Sequence, residues 1–135
     1  MSHEILQPPN RARPRGYSNG IAAEGRRIFI SGQIGWNAEQ KFTSDDLAAQ
    51  VRQALANVIE ILACAGAKPE HLVRLTWFVT SREEYYASIE GIGAAYREVI
   101  GRHFPAMSVV VAAALLEPRA KVEIEATAVI PDDAD

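Results

Sequence analysis

The sequence predicts an α+β domain in which two amphipathic helices pack on one face of a mixed β-sheet. Two stretches carry apolar residues at helical spacing, and several others alternate or concentrate apolar residues as strands do. The predicted order is strands, helix, strand, helix and two strands, which is typical of helices gathered on one side of a sheet. The 135 residues fit a single domain over 1–135, with an irregular, proline-rich arm over 1–15.

Strand-forming residues mark the predicted sheet. The first strand is rich in β-branched and aromatic residues and is expected to end at Gly32. The predicted strand over 109–116 is a continuous apolar run, which is consistent with a strand covered on both faces. The last strand alternates strictly between apolar and polar residues, so one of its faces is expected to be buried. The predicted strands cover residues 26–32, 72–80, 109–116 and 121–130.

Two helices are predicted from their apolar stripes. The first starts near Leu47, with Ser44 as a cap and Gly66 as its end. The second follows the S-x-x-E capping box of residues 81–84 and continues as one helix to Val99. Two helices can cover only one face of a sheet. We therefore expect the other face to be covered by a second copy of the chain.

Composition and charge exclude several classes of protein. The net charge of −3 lacks the basic excess of a nucleic-acid module. The longest apolar run has eight residues, too few to cross a bilayer as a helix, and the N-terminal residues lack a signal-peptide pattern. We therefore expect a cytoplasmic protein with neither a nucleic-acid nor a membrane partner.

Cysteine and histidine predict no metal site. The single cysteine, Cys64, excludes an internal disulfide and is interpreted as a small buried residue of the first helix. The histidines lie at positions 3, 71 and 103, without the spacing of metal ligands. No nucleotide-binding motif occurs, so no cofactor is predicted.

Two glutamates on the last strand are candidates for acid–base chemistry. Glu123 and Glu125 are two residues apart and share one face. Glu125 is interpreted as part of a solvated face. Glu123 lies nearer the apolar strand, where a partly desolvated carboxylate could handle a proton.

Six segments, taken together, resemble the RidA/YjgF family of enamine/imine deaminases. They occur in the expected order across residues 15–130, nearly the whole chain, and the S-G-Q-I and E-I-E-A segments are the most specific. The matching segments are Tyr17-Ser18-Asn19-Gly20, Ile30-Ser31-Gly32-Gln33-Ile34, Leu47…Gln50…Ala54-Leu55…Asn57, Ala65-Gly66, Phe104-Pro105-Ala106-Met107-Ser108 and Val122-Glu123-Ile124-Glu125-Ala126.

This resemblance implies a chorismate-mutase-like fold and a homotrimer with a barrel-like core. It also implies ligand clefts between neighbouring subunits. In deaminating members, an arginine of a P-x-R-S segment binds the substrate carboxylate. A last-strand glutamate, here Glu123, helps activate the water that attacks the imine carbon. The cleft is expected to contain Tyr17, Ser31, Gly32, Met107, Val109 and Glu123.

The chain departs from the family pattern at the position of that arginine. Met107 occupies it, Val109 replaces a frequent cysteine, and Gly93 replaces an asparagine. Methionine cannot form the charge-assisted contacts of a guanidinium. We therefore expect either a less anionic ligand or a ligand bound by a different cation. Arg119 and Arg74 are the candidates for that cation.

Three functions remain open at this point. The first is hydrolysis of a small imine, enamine or related C–N bond, with Glu123 as the proton-handling group. The second is a non-catalytic, trimeric metabolite-binding protein that uses the same cleft between subunits. The third is a chaperone-like trimeric partner protein. Glu123 and Tyr17 favour the enzyme, whereas Met107 and Gly93 favour the binding protein.

Overall fold

A four-stranded mixed sheet in the order β3-β6-β4-β5 organises the fold. The computed structural model describes residues 3–132. Strand β6 pairs antiparallel with both neighbours, whereas β5 runs parallel to β4. A separate pair, β1 and β2, is antiparallel. The elements are β1 (Glu4–Leu6), β2 (Gly20–Ala22), β3 (Arg26–Ile34), α1 (Leu47–Cys64), a 3₁₀ turn (Pro69–His71), β4 (Leu72–Val79), α2 (Arg82–Ala87), α3 (Ile89–Val99), β5 (Ala106–Val111) and β6 (Val122–Ile130).

The helices pack on one face of this sheet, as the sequence predicts. Helices α1 and α3 contact each other, and α1 lies across β3 and β6. The opposite face, called the open face below, presents Phe29, Arg74, Thr76, Glu125 and Thr127. Phe29 is 75% exposed there. The predicted α+β class is confirmed, and within residues 3–132 no helix lies on the open face.

The prediction of one helix from the capping box at residues 81–84 to Val99 is wrong, because the structure has two helices there, α2 and α3. Ser81 caps α2 as expected, accepting a hydrogen bond of 3.0 Å from the Glu84 backbone N–H. The helix stops after six residues, because Ser88 leaves helical geometry with φ −102° and ψ 7°. Helix α3 then begins at Ile89. Glu84 does not complete the capping box; its carboxylate accepts a 2.7 Å hydrogen bond from Lys121 Nζ.

Two strand boundaries also differ from the prediction. Strand β3 continues past Gly32 to Ile34, because the irregularity at Ser31 and Gly32 is a bulge opposite β6 rather than an end. Strand β5 starts at Ala106 and stops at Val111, so the apolar run beyond it is not strand. As the edge of the sheet, β5 leaves its valines about half exposed within one chain. The expectation of a strand covered on both faces is therefore wrong for a single chain.

Two smaller expectations need correction. The arm over 1–15 is not wholly irregular, because Glu4–Leu6 pairs with Gly20–Ala22. Cys64 is exposed rather than buried. Cys64 is the last residue of α1, whereas the buried stripe of the helix ends at Leu62. Helix α1 is long and apolar enough to cross a membrane by composition, yet that stripe belongs to the protein core.

A buried glutamine joins the start of α1 to the loop that leads into β6. Gln50 is 1% exposed, and its side-chain amide donates to the backbone oxygens of Ser44 and Arg119, each at 3.1 Å. Its Oε1 accepts from the Lys121 backbone N–H at 2.9 Å. All its polar atoms are thus paired, and each pairing fixes a loop beside the sheet.

We expect Gln50→Met to lower the free energy of unfolding by about 2–4 kcal/mol, because three backbone groups lose their partner. The control, Gln53→Met, removes one 2.8 Å hydrogen bond to Asn57. Its effect should stay below about 1 kcal/mol. Urea unfolding at a fixed protein concentration compares the two. Equal effects would contradict the role given to Gln50.

Candidate functional site

A cavity of about 720 Å³ lies beside β5, on the helix side of the sheet. Its walls come from the arm, from β4 and β5, from α2 and α3, and from the segment before β5. Most of the lining is aromatic or aliphatic. The lining residues are Arg15, Gly16, Tyr17, Trp77, Tyr85, Tyr86, Ile89, Ile92, Gly93, Tyr96, Arg97, Phe104, Met107 and Val109.

Tyr17 is held at this cavity through its neighbour Ser18. Ser18 is buried, and its backbone N–H donates to Pro105 O at 3.0 Å. Its hydroxyl donates to Phe104 O, and the residue bridges to Ala106 at the start of β5. Tyr17 therefore lies next to β5, although 80 residues or more separate the segments in sequence.

Strand register places Met107 and Val109 on the helix side. Met107 pairs with Leu75, and Val109 pairs with Trp77, both of which are buried in the core. Paired residues of neighbouring strands point to the same face. Met107, at the position where the family resemblance leads us to expect an arginine, thus forms an apolar part of the cavity lining.

Stacked aromatic rings form one wall. The Tyr96 ring lies between Trp77, at a centroid distance of 6.5 Å, and Phe104, at 5.7 Å. The Tyr96 hydroxyl donates to His103 O. Burial raises the pKa of Tyr96, so this hydroxyl stays protonated at neutral pH and acts as a fixed donor.

Two arginines that the sequence analysis missed, Arg15 and Arg97, line the same cavity. Arg97 lies one helical turn after Gly93, and a β-carbon placed on Gly93 would be 3.3 Å from its Nη1. The guanidinium therefore lies over the glycine. The i, i+4 spacing of the two residues on a predicted helix was the available signal.

The remaining predicted residues, Ser31, Gly32 and Glu123, lie elsewhere. Glu123 alternates with the buried Val122 and Ile124, so it points to the open face. A β-carbon on Gly32 would be 2.6 Å from Glu123 Cδ, so only glycine lets this carboxylate approach the β3 bulge so closely. Gln33 supports the bulge by donating to Ser31 O at 3.0 Å.

Arg119 and Arg74, the two cations considered from the sequence, do not line this cavity. Arg119 forms a salt bridge of 2.8 Å with Asp45 and lies 5.4 Å from the Phe42 ring centroid. The hydrogen bond and charge of Arg119 lower the pKa of Asp45, so the pair is ionised at neutral pH. Arg74 lies on the open face with Glu125, and the salt bridges within residues 3–132 do not include it.

A single chain thus separates the predicted site residues into two groups. Tyr17, Met107 and Val109 share the cavity on the helix side of β5. Ser31, Gly32 and Glu123 lie at β3 and β6 near the open face, with β4 between β6 and β5. Within residues 3–132, no cluster of three or more His, Cys, Asp or Glu side chains has the geometry of a metal site.

Comparisons with known proteins agree on a family. The family model described as Endoribonuclease L-PSP matches residues 10–130. The 2-iminobutanoate/2-iminopropanoate deaminase of Escherichia coli is 38% identical over 108 residues, covering 78% of this chain and 80% of that protein. Protein DfrA of Myxococcus xanthus is 35% identical over 120 residues, covering 84% of each chain.

A solved structure shows the same fold. The Rid-family protein YyfB from Yersinia pestis, described as a protein of unknown function, superposes with a TM-score of 0.83 and 33% identity. The match covers 96% of this chain and 100% of that one. The family match spans most of the chain, and relatives above 30% identity cover more than two thirds of it. This chain therefore belongs to the RidA/YjgF family.

Proposed function

We propose that this protein hydrolyses a small imine or enamine and releases ammonia, with Glu123 as the group that handles the proton. The observation that carries the proposal is the position of the Glu123 carboxylate, held against Gly32 at the β3 bulge. The salt bridges within residues 3–132 do not include Glu123, so no described cation neutralises it. The deaminase name of the Escherichia coli relative supports the reaction class.

In the proposed reaction, the Glu123 carboxylate accepts a proton from a water molecule as the water oxygen bonds to the imine carbon. The resulting carbinolamine carries the nitrogen and the new hydroxyl on one carbon. The protonated carboxyl returns its proton to the nitrogen, which completes the neutral carbinolamine. The carboxylate then moves the hydroxyl proton to the nitrogen, so the O–H and C–N bonds break, the C=O bond forms and ammonia leaves. One water is consumed for each carbonyl product and each ammonia, and the carboxylate is regenerated.

The complete site requires two chains. Glu123 faces the open side of β6, whereas Tyr17, Met107 and Val109 lie on the helix side at the β5 edge. Neighbouring strands are about 5 Å apart, so these groups of one chain are separated by strand β4 and by the sheet itself. A neighbouring chain can place its own Glu123 and Ser31-Gly32 bulge beside the cavity. We propose a homotrimer in which each cleft joins the two faces of two different chains.

Exposed apolar side chains support this assembly. Phe29 on the open face is 75% exposed, and Val109, Val110 and Val111 of the β5 edge are between 43% and 49% exposed. Contiguous exposed apolar surface marks interaction sites. The cytoplasmic location, the small-molecule ligand and the absence of nucleic-acid and membrane partners stay predictions.

We expect light scattering to give three times the 14.8 kDa mass of the chain. Val110→Asp should shift this mass toward that of one chain, because a charge would be buried without a partner where the apolar edge meets its neighbour. Glu117→Lys, on an exposed segment, is the control. A monomeric wild-type protein would contradict the composite site.

We expect Glu123→Gln to retain fold and oligomer but to lose at least about a hundredfold in ammonia release, because an amide cannot accept the proton of water. The assay generates 2-iminobutanoate in the cuvette. Glu125→Gln is the matched control, since Glu125 lies on the same strand and face. Full activity of Glu123→Gln would exclude the proposed role. Ligand binding without turnover by the wild type would favour the metabolite-binding alternative.

A further inference from the structure

We propose that Arg97 binds a carboxylate of the ligand in the cavity beside β5, and that this ligand carries an aromatic or branched apolar group. The inference specifies the ligand class of the site proposed above, and it relies on that proposal for the cavity being a ligand site. It assigns the carboxylate-binding role to helix α3 rather than to position 107 of strand β5.

The charged residues that line the cavity are all positive. The described lining contains Arg15 and Arg97 and no aspartate or glutamate, although the chain as a whole has a net charge of −3. The salt bridges within residues 3–132 include neither arginine. Both arginines are exposed, and neither has an acidic partner among residues 3–132, so their charges make this side of the apolar cavity positive and favour an anion there.

The Arg97 guanidinium packs against Gly93 on helix α3. The guanidinium nitrogen Nη1 lies 3.3 Å from where a β-carbon of residue 93 would stand, so a larger side chain would occupy the same space. Gly93 therefore gives the guanidinium its place on the cavity side of α3. Met107 leaves the strand position without charge. The two departures from the family pattern are thus compatible with one relocated cation.

The apolar walls define the rest of the ligand. Trp77, Tyr96 and Phe104 form the stacked wall, and Ile89, Ile92 and Met107 contribute aliphatic surface. A volume of about 720 Å³ exceeds the need of a three-carbon acid. A carboxylate with an aromatic or branched body matches both the charge and the walls.

Calorimetric titration with 3-phenylpropanoate tests this proposal, and the neutral 3-phenylpropanamide serves as the matched ligand. Wild-type protein should bind the acid at least about tenfold more tightly than the amide. Arg97→Met, which keeps the apolar stem, should remove this preference. Gly93→Leu should weaken binding of the acid as well, because leucine displaces the guanidinium while the charge remains. Arg102→Met, an exposed arginine outside the cavity lining, should bind as the wild type does.

Circular dichroism and the oligomer mass establish that each variant folds. Absence of acid binding by the wild type, or an unchanged acid preference in folded Arg97→Met, would overturn the proposal. An affinity unchanged in Gly93→Leu would also contradict it, because general positive charge would then explain the binding. Binding that depends on Arg97, with no ammonia release from any imine, would support this inference while removing the proposed deaminase function.

Discussion

Side chains alternate between the two faces of the sheet along β6, and this alternation determines where the core and the carboxylates lie. Strand β6 lies between β3 and β4, and Val122, Ile124 and Ala126 point to the helices while Glu123 and Glu125 point away. A slip of one residue in either pairing would turn both carboxylates into the core, where ionised groups are costly. The hydrophobic core therefore fixes the face on which Glu123 lies, and the same pairing brings it to the bulge at Gly32.

That arrangement explains why the site is divided within one chain. The helices cover the face that carries Met107 and Val109, and the cavity forms where α3 and the arm leave the β5 edge partly uncovered. Glu123 cannot reach this cavity in its own chain without crossing the sheet. In the proposed assembly, a second chain laid against the open face would cover exposed apolar surface, and its cavity would receive the Glu123 carboxylate of the first chain. Assembly and chemistry would then depend on the same proposed contact.

Much of the fold follows from the sequence because burial imposes regular spacing. The alternation over 121–130 and the stripe beginning at Leu47 predicted β6 and α1 to within a residue or two. The break at Ser88 was missed because the apolar stripe continues across it, so periodicity alone reports one helix. The end of β5 was missed because its edge position depends on which strands pair. The family motif points to Glu123 as a candidate, whereas only the i, i+4 spacing from Gly93 points to Arg97, because the cavity beside Arg97 appears only when residues 15–17 and α3 are brought to β5.

Mixing two inactive variants tests whether the site is built from opposite faces of two chains. Glu123→Gln removes the carboxylate, and Gly93→Trp fills the cavity on the other half of the site. Each variant alone should form the oligomer without releasing ammonia. Coexpressed chains should recover about a quarter of wild-type activity, since one interface in four then joins two intact halves in a cyclic assembly. Mixed oligomers that stay inactive would contradict the shared site.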